Sequence, residues 1–418
     1  MKSLLIIEDN VANKISYYHV LLLLLSLPFD MFYSHVIFIS LIIHTLIHLK
    51  KSNSRPVFSI SNLFLSSVFF LTLLGTLYSL NRPEAFKEVG MQVSILLAPL
   101  TFCLNPLDLK KYRNHFFLAF SLACVLVITY LYLYAIVVII YYHLSPYTLF
   151  TPSFINHNFS QPIGMHATYL AMQIAAGLVF LLGLVIKEKK PRLRFFYLIC
   201  CVILTAGIIQ LGSRAVFIAL FLIINLGVPF FLLSYSRRIR FALFIIPLSL
   251  LVIGVIYGFN NFKHRYVTEL EKDLSKESST EVTDTRLARW NLALKIAANS
   301  PVIGYGSGSE ITVLKEGYFR SKYFHSYMSD LNAHNQFISM FLKFGITGLL
   351  IFLATLYYGF KVSLKEKDLL LFAFLFIIAT VCFSENIIDR DKGIYFYSIF
   401  FSLLIYSDLK FKITNPAS

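Results

Sequence analysis

Charge is scarce in this chain. Asp, Glu, Lys and Arg make up 14% of its 418 residues, and they lie in short clumps between apolar runs. Each run reaches roughly 20 residues, the length at which a helix crosses the hydrocarbon of a bilayer. A string of soluble domains is excluded, and one all-α polytopic membrane domain over residues 1–418 is expected. Acids are scarcer than bases, 22 against 37. Such an imbalance can signal nucleic acid, but here the bases gather in alternate loops, as the positive-inside bias requires. No nucleic-acid partner is expected; membrane lipids are. Cysteine is scarce too. Cys103, Cys124, Cys200, Cys201 and Cys382 all lie in apolar runs without metal-ligand spacing. They read as small buried hydrophobes and not as a disulfide framework. A cleavable leader is not expected, because Glu8 and Asp9 precede the first run and no small-residue cleavage site follows it.

The apolar runs divide into about twelve spans, or one fewer if the first two merge. Residues 17–49 are too long for one span, and Pro28 with Asp30 divides them into 17–29 and 31–49. Next come 59–80, 88–104, 113–143 and 164–186. The run 195–233 would be a helix about twice the hydrocarbon thickness, so it must turn at Gly212. After 241–259 comes a long polar segment, then 333–360, 369–384 and 393–406. With both termini cytoplasmic, the inner loops hold Lys50, Lys51 and Arg55; Lys110, Lys111 and Arg113; Lys187, Lys189, Lys190, Arg192 and Arg194; Arg237, Arg238 and Arg240; and Lys361, Lys365 and Lys367. Each is basic, as the rule demands. The polar segment 260–332 then lies outside the cytoplasm.

On that outer side several candidates gather. Arg214 stands where a turn becomes a helix. An arginine near a membrane is costly, and a helix N-terminus favours anions, so the two together suggest a phosphate site. The competing reading is an arginine that snorkels to the interface. Residues 284–299, DTRLARWNLALKIAAN, carry apolar residues at helical spacing. They form an amphipathic helix that lies on the membrane or caps the bundle, with Arg286, Arg289 and Trp290 on one face. Either arginine can face a site. The stretch 301–308, PVIGYGSG, lacks the Lys-Ser/Thr of a nucleotide-binding P-loop and reads as a turn. His334 begins a span at the outer surface, and its ordinary pKa suits proton transfer. His143, His157 and His166 share that side, but without a zinc motif no metal or other cofactor is expected. Glu385 ends a span there and can pair with an arginine or orient a sugar hydroxyl.

Ser213-Arg214 opening a helix, Arg286 four residues before Trp290, then PVIGYGSG, and His334-Asn335 followed by FGITG (344–348) resemble, in that order, the O-antigen ligase and polymerase family. IGMHATYLAM (163–172) and SENIIDRDKG (384–393) look like versions found in Bacteroidetes-type members. The resemblance runs from about Gly164 to the C-terminus; the first 160 residues match in topology alone. It implies a metal-independent glycosyltransferase of the membrane-embedded C type in the bacterial inner membrane, with its active site facing the periplasm. The donor would be a glycan on undecaprenyl diphosphate and the acceptor a lipid or glycan hydroxyl such as that of a lipid A core. By resemblance His334 is the base and Arg214 and Arg286 hold the diphosphate. Arg289 is the alternative to Arg286, and His166 and Glu385 complete the substrate-binding set. The family contains ligases and repeat-unit polymerases, and these motifs do not separate them. A lipid-linked glycan flippase or transporter is the rival class; it should carry charges within its spans, whereas charges here are expected at span ends.

Overall fold

The computed structural model describes residues 6–29, 31–49, 57–275 and 284–408. The inner-loop residues Lys50, Lys51 and Arg55, and Asp30 in the first turn, lie outside them. Every regular element among the described residues is helical. The bundle is built from α1 (Val11–Ser26), α2 (Met31–Ile47), α3 (Ile60–Gly75), α4 (Arg82–Leu104), α5 (Leu109–Tyr141), α6 (Ala167–Lys187), α7 (Pro191–Leu211), α8 (Arg214–Leu232) and α9 (Tyr235–Gly258). The polar segment contributes α10 (Arg286–Ala297) and α11 (Glu310–Arg320), and the bundle closes with α12 (Gln336–Glu366), α13 (Leu369–Val381) and α14 (Asp391–Asp408). Seven of these are long and apolar enough to cross a membrane, and α2, α3 and α13 are shorter apolar helices. Each of the apolar segments expected from the sequence is helical, and the chain is an all-α polytopic membrane protein.

The core lies where α5, α6, α13 and α14 meet. Helices α6, α13 and α14 are apolar on nearly every face and are buried accordingly. By contrast α9 is largely exposed, with Leu243, Phe244, Leu250 and Leu251 facing outward as lipid-facing residues do. The five cysteines are all free and buried, as their setting in apolar runs implied.

Gly212 makes the α7–α8 reversal. It is left-handed at φ 57°, and its N–H caps Ile209 O, a conformation that glycine adopts without steric cost. Gln210, a polar residue in α7, donates to Leu149 O at 2.7 Å and Phe154 O at 2.5 Å, tying the 145–163 loop over the helix end.

The stretch 301–308 is more than a turn. Helix α12 breaks at Gly345 (φ 63°, ψ −162°). The break frees the carbonyls of Leu342 and Lys343, and these accept from Tyr305 N at 3.1 Å and Gly306 N at 2.8 Å. In return Ile346 N donates to Pro301 O at 2.8 Å. Non-helical backbone within a membrane bundle must satisfy its polar groups on protein, and here two irregular segments satisfy each other. A Cβ on Gly345 would lie 2.2 Å from the Val302 carbonyl carbon, and one on Gly304 2.4 Å from the Lys343 carbonyl carbon. Glycine at these positions permits the close approach.

Helix α10 resolves the amphipathic pattern. It caps the bundle, burying Ala288, Ala293 and Ala297 against Leu314 and Tyr318 of α11 and Ile338 and Leu342 of α12. Trp290 packs beside them and donates from Nε1 to Ala333 O at 2.9 Å.

Candidate functional site

The N-termini of α6, α8, α10 and α12 and the segment after α13 meet at one end of the bundle. Arg214 is the first residue of α8. Its Nη2 lies 2.6 Å from Asp273 Oδ2, and its Nη1 is buried without a partner. Asp273 ends the short helix Glu269–Asp273. Arg286 is the first residue of α10, which Thr285 caps by accepting from Ala288 N. Its Nε is 3.5 Å from the same Asp273 oxygen, and its Nη1 donates to Ser384 O at 3.3 Å. Burial pulls the Arg286 guanidinium below its ordinary value, though the Asp273 and Glu385 charges oppose this, and an arginine remains a cation. Two cations thus share one carboxylate, with an unfilled donor beside it.

His334 does not begin a span. Helix α12 starts at Gln336, and Asn335 is its N-cap, accepting from Phe337 N at 3.0 Å and Ile338 N at 3.2 Å. His334 stands just before it in the left-handed region, at φ 48°. Such a conformation is uncommon for a non-glycine residue and clusters at functional sites. It is held there from both sides of Ala333, whose carbonyl takes Trp290 and whose N–H donates to Glu310 Oε1 at 2.9 Å. His334 Nδ1 is 3.6 Å from Glu385 Oε2. That is an ion-pair distance, longer than a hydrogen bond, and the Nδ1 has no other partner. Burial would raise the Glu385 carboxyl, but His334, His166 and Arg286 around it outweigh that and hold it below its ordinary value. Glu385 is therefore a carboxylate facing a histidine.

His166 is the N-cap of α6, its Nδ1 accepting from Thr168 N at 3.3 Å, which leaves the proton on Nε2. Its ring lies 4.2 Å from that of His157. Burial drives its pKa down to about 4 against the opposing charge of Glu385, so it is a neutral donor near pH 7. His143 is exposed in the turn after α5. Among the described residues no three His, Cys, Asp or Glu side chains are grouped to hold a metal ion.

Arg289 goes elsewhere. It is 8% exposed, with Nε 3.9 Å from Asp284 Oδ1 and Nη1 donating to Ser326 Oγ at 3.4 Å. Asp284 also accepts from Ser326 N at 2.8 Å. This knot fixes the start of α10. Of the two arginines the sequence leaves open, Arg286 reaches the acid of Arg214, and Arg289 reaches Asp284 instead.

Beneath the site lies a charged network that sequence reasoning missed. Lys343, 2% exposed and within α12, is 2.6 Å from Glu88 Oε1 of α4 and 2.8 Å from Asp389 Oδ1. Glu88 Oε2 accepts from Gly308 N at 2.6 Å. Glu310 accepts from Asn386 Nδ2 at 3.1 Å as well as from Ala333 N. The expectation that charges keep to span ends is therefore corrected: Lys343 and Glu88 are inside their helices. They are paired with each other and with loop backbone. The network joins the glycine-rich insertion, the His334 turn and the Glu385 segment. The signal was legible as Lys343 interrupting an apolar run, but its partners are far apart in sequence.

Residues 199–353 match the family model described as O-antigen ligase. That interval contains Arg214, Arg286, Arg289 and His334, whereas His166 and Glu385 lie outside it. No curated protein is significantly similar to the chain.

Proposed function

The chain belongs, through residues 199–353, to the O-antigen ligase and polymerase family, and from that premise we propose that it transfers a glycan from undecaprenyl diphosphate to an acceptor hydroxyl on the periplasmic side of the bacterial inner membrane. The observation that carries this reading is the convergence of Arg214 and Arg286 on Asp273 beside the His334–Glu385 pair. As the glycosidic bond to the diphosphate breaks, negative charge grows on the leaving phosphate. Two fixed guanidinium groups and the N-terminus of α8 stabilise that charge. The acceptor oxygen loses a proton as it attacks the anomeric carbon; His334 takes it, and Glu385 steadies the imidazolium that results. His166, a neutral donor, orients a sugar or phosphate oxygen. Arg289 supports the helix that carries Arg286.

The basic clusters at 187–194, 237–240 and 361–367 stand at the opposite ends of α6, α8 and α12 from this cluster, which supports a site facing the periplasm. A lipid A core is the acceptor in the ligase reading, another repeat unit in the polymerase reading. The pairing of Lys343 with Glu88 and Asp389 supports a structural brace more than the charged path of a transporter. Deletion followed by gel analysis of surface glycans tests the assignment. Bare lipid core with long polymer retained on the carrier means ligase; single capped repeats mean polymerase. An unchanged surface glycan overturns both.

A further inference from the structure

A cleft of about 270 Å³ opens beside the arginines, between the 152–158 loop and the segment 261–269; Pro152 and Ile155 give it an apolar patch, and asparagines, histidines and an ion pair give it polar groups. Its volume is near the lower end of small-molecule pockets, which begin at roughly 300 Å³. Asn156 carries two anomalies. Its backbone is at φ 61° and ψ −127°, a region that non-glycine residues avoid, and its Oδ1 is buried with no donor. Both are held in place by the fold, since Asn156 N donates to Gln210 O at 3.0 Å and its carbonyl accepts from Phe159 N at 3.1 Å. Asn158 and Asn261 use their amide nitrogens on Pro152 O and Phe150 O, each at 2.9 Å. Those bonds fix the side chains and leave their carbonyl oxygens as acceptors.

The opposite wall mixes donors and acceptors. Arg265 is bonded to Glu269 and donates from Nε to Gly212 O at 3.2 Å. His157 and His264 also line the cleft. The Arg265 and Glu269 charges cancel, so the wall does not select an anion as the Arg214 pair does. Rigid amide oxygens, imidazoles and a neutralised ion pair match a ligand that is uncharged and both donates and accepts hydrogen bonds on several sides. A pyranose ring fits that description; a lipid tail or a phosphate does not.

Position ties the cleft to the reaction. Arg265 packs on Gly212, two residues before Arg214, and Glu269 opens the short helix that ends at Asp273. The ring of His157 touches that of His166. We propose that this cleft is a glycan subsite: Asn156, Asn158 and Asn261 accept hydroxyl protons from a sugar ring bound next to the diphosphate-binding arginines. The proposal rests on the glycosyltransferase reading above.

Asn156→Gly is the informative variant, because glycine removes the amide while fitting the backbone without strain. It should melt no lower than the wild type. The full chain in nanodiscs is titrated with two probes, sugar-free undecaprenyl diphosphate and the carrier-linked glycan extracted from native membranes. Asn156→Gly and Asn261→Ala should each weaken the glycan-bearing carrier by roughly tenfold and leave the sugar-free carrier unchanged. If instead only the KM for a free core oligosaccharide acceptor rises, the subsite holds the acceptor sugar and the proposal stands. Unchanged carrier affinity and unchanged acceptor KM in both variants would overturn it. Failure of the arginine reading shows separately, as sugar-free diphosphate binding that survives Arg214→Ala.

Discussion

Arg214 and Arg286 aim their guanidinium groups at one oxygen, Oδ2 of Asp273, at 2.6 and 3.5 Å. Under the proposed function, this shared carboxylate stands where a phosphate oxygen of the donor would bind. Arg214→Ala and Arg286→Ala should each abolish transfer while the protein stays in the membrane. Lysine at either position should restore only part, since a point charge replaces a bidentate fork. Asp273→Asn should tighten binding of sugar-free undecaprenyl diphosphate by about tenfold, because an intramolecular competitor is removed. Weaker binding in Asp273→Asn would make the acid a positioning group for the arginines instead.

His334 lies in the same cluster, its Nδ1 at 3.6 Å from Glu385 Oε2 and without a hydrogen-bond partner. General-base catalysis is typically worth about 10²–10⁴-fold. His334→Ala should lower kcat by roughly that range while carrier binding, set by the arginines, survives. His334→Gln keeps a hydrogen-bonding group without basicity and should fare little better. Full activity in His334→Gln would leave the residue a positioning role, and loss of wild-type activity with chelator present would point to a metal.

His166, half-buried, and His157 beside it make stability pH-dependent. The folded pKa of His166 is depressed, to about 4, by burial, so between that value and the ordinary histidine range the unfolded chain binds more protons than the folded one. Stability should therefore fall as pH drops from about 6.5 toward 4 and be flat above that window. His157, lowered by burial and by Arg265, adds in the same direction. Glu385, held low by its cationic neighbours, contributes stability above the ordinary carboxylate range and loses it at more acid pH. Thermal melts of the nanodisc-bound protein across this range check the slope, which His166→Gln should flatten.

The break in α12 has no room for a side chain. Gly345→Ala places a methyl group 2.2 Å from Val302 backbone at a positive φ, and it should abolish a monodisperse, folded product on size exclusion. Gly254→Ala in exposed α9, where a Cβ meets nothing within 4 Å, is the matched control and should behave as wild type or slightly better.

The helices were legible because a bilayer imposes one length and one polarity on each span, and Gly212 marked the reversal inside the apolar run 195–233. The site was partly legible. Arg214, Arg286, His334, His166 and Glu385 come together, since each sits near the end of an element and membrane topology sends those ends to one side. What the sequence withheld depends on long-range pairing. Nothing local distinguishes Arg286 from Arg289; in the fold Asp273 pairs with the first and Asp284 with the second. The PVIGYGSG stretch looks like a turn until the broken carbonyls of α12 are seen to need its N–H groups. The acid that holds the arginines sits in a polar stretch where acidic residues are common and none stands out.

Lys343 tests whether the buried network is brace or chemistry. Its ammonium lies between Glu88 and Asp389 with 2% of the residue exposed. Lys343→Met fills similar space but leaves two carboxylates facing each other in the bundle. Removing one partner of a buried ion pair typically costs about 3–5 kcal/mol. Lys343→Met should therefore lower the melting temperature strongly, and adding Glu88→Gln should recover part of the loss by removing one unpaired charge. Glu88→Gln alone should cost less, because Lys343 keeps Asp389. In each variant transfer activity should follow the folded fraction, with the KM of the remaining folded protein near wild type. A Lys343→Met protein that melts normally yet transfers nothing would instead place the lysine in the reaction.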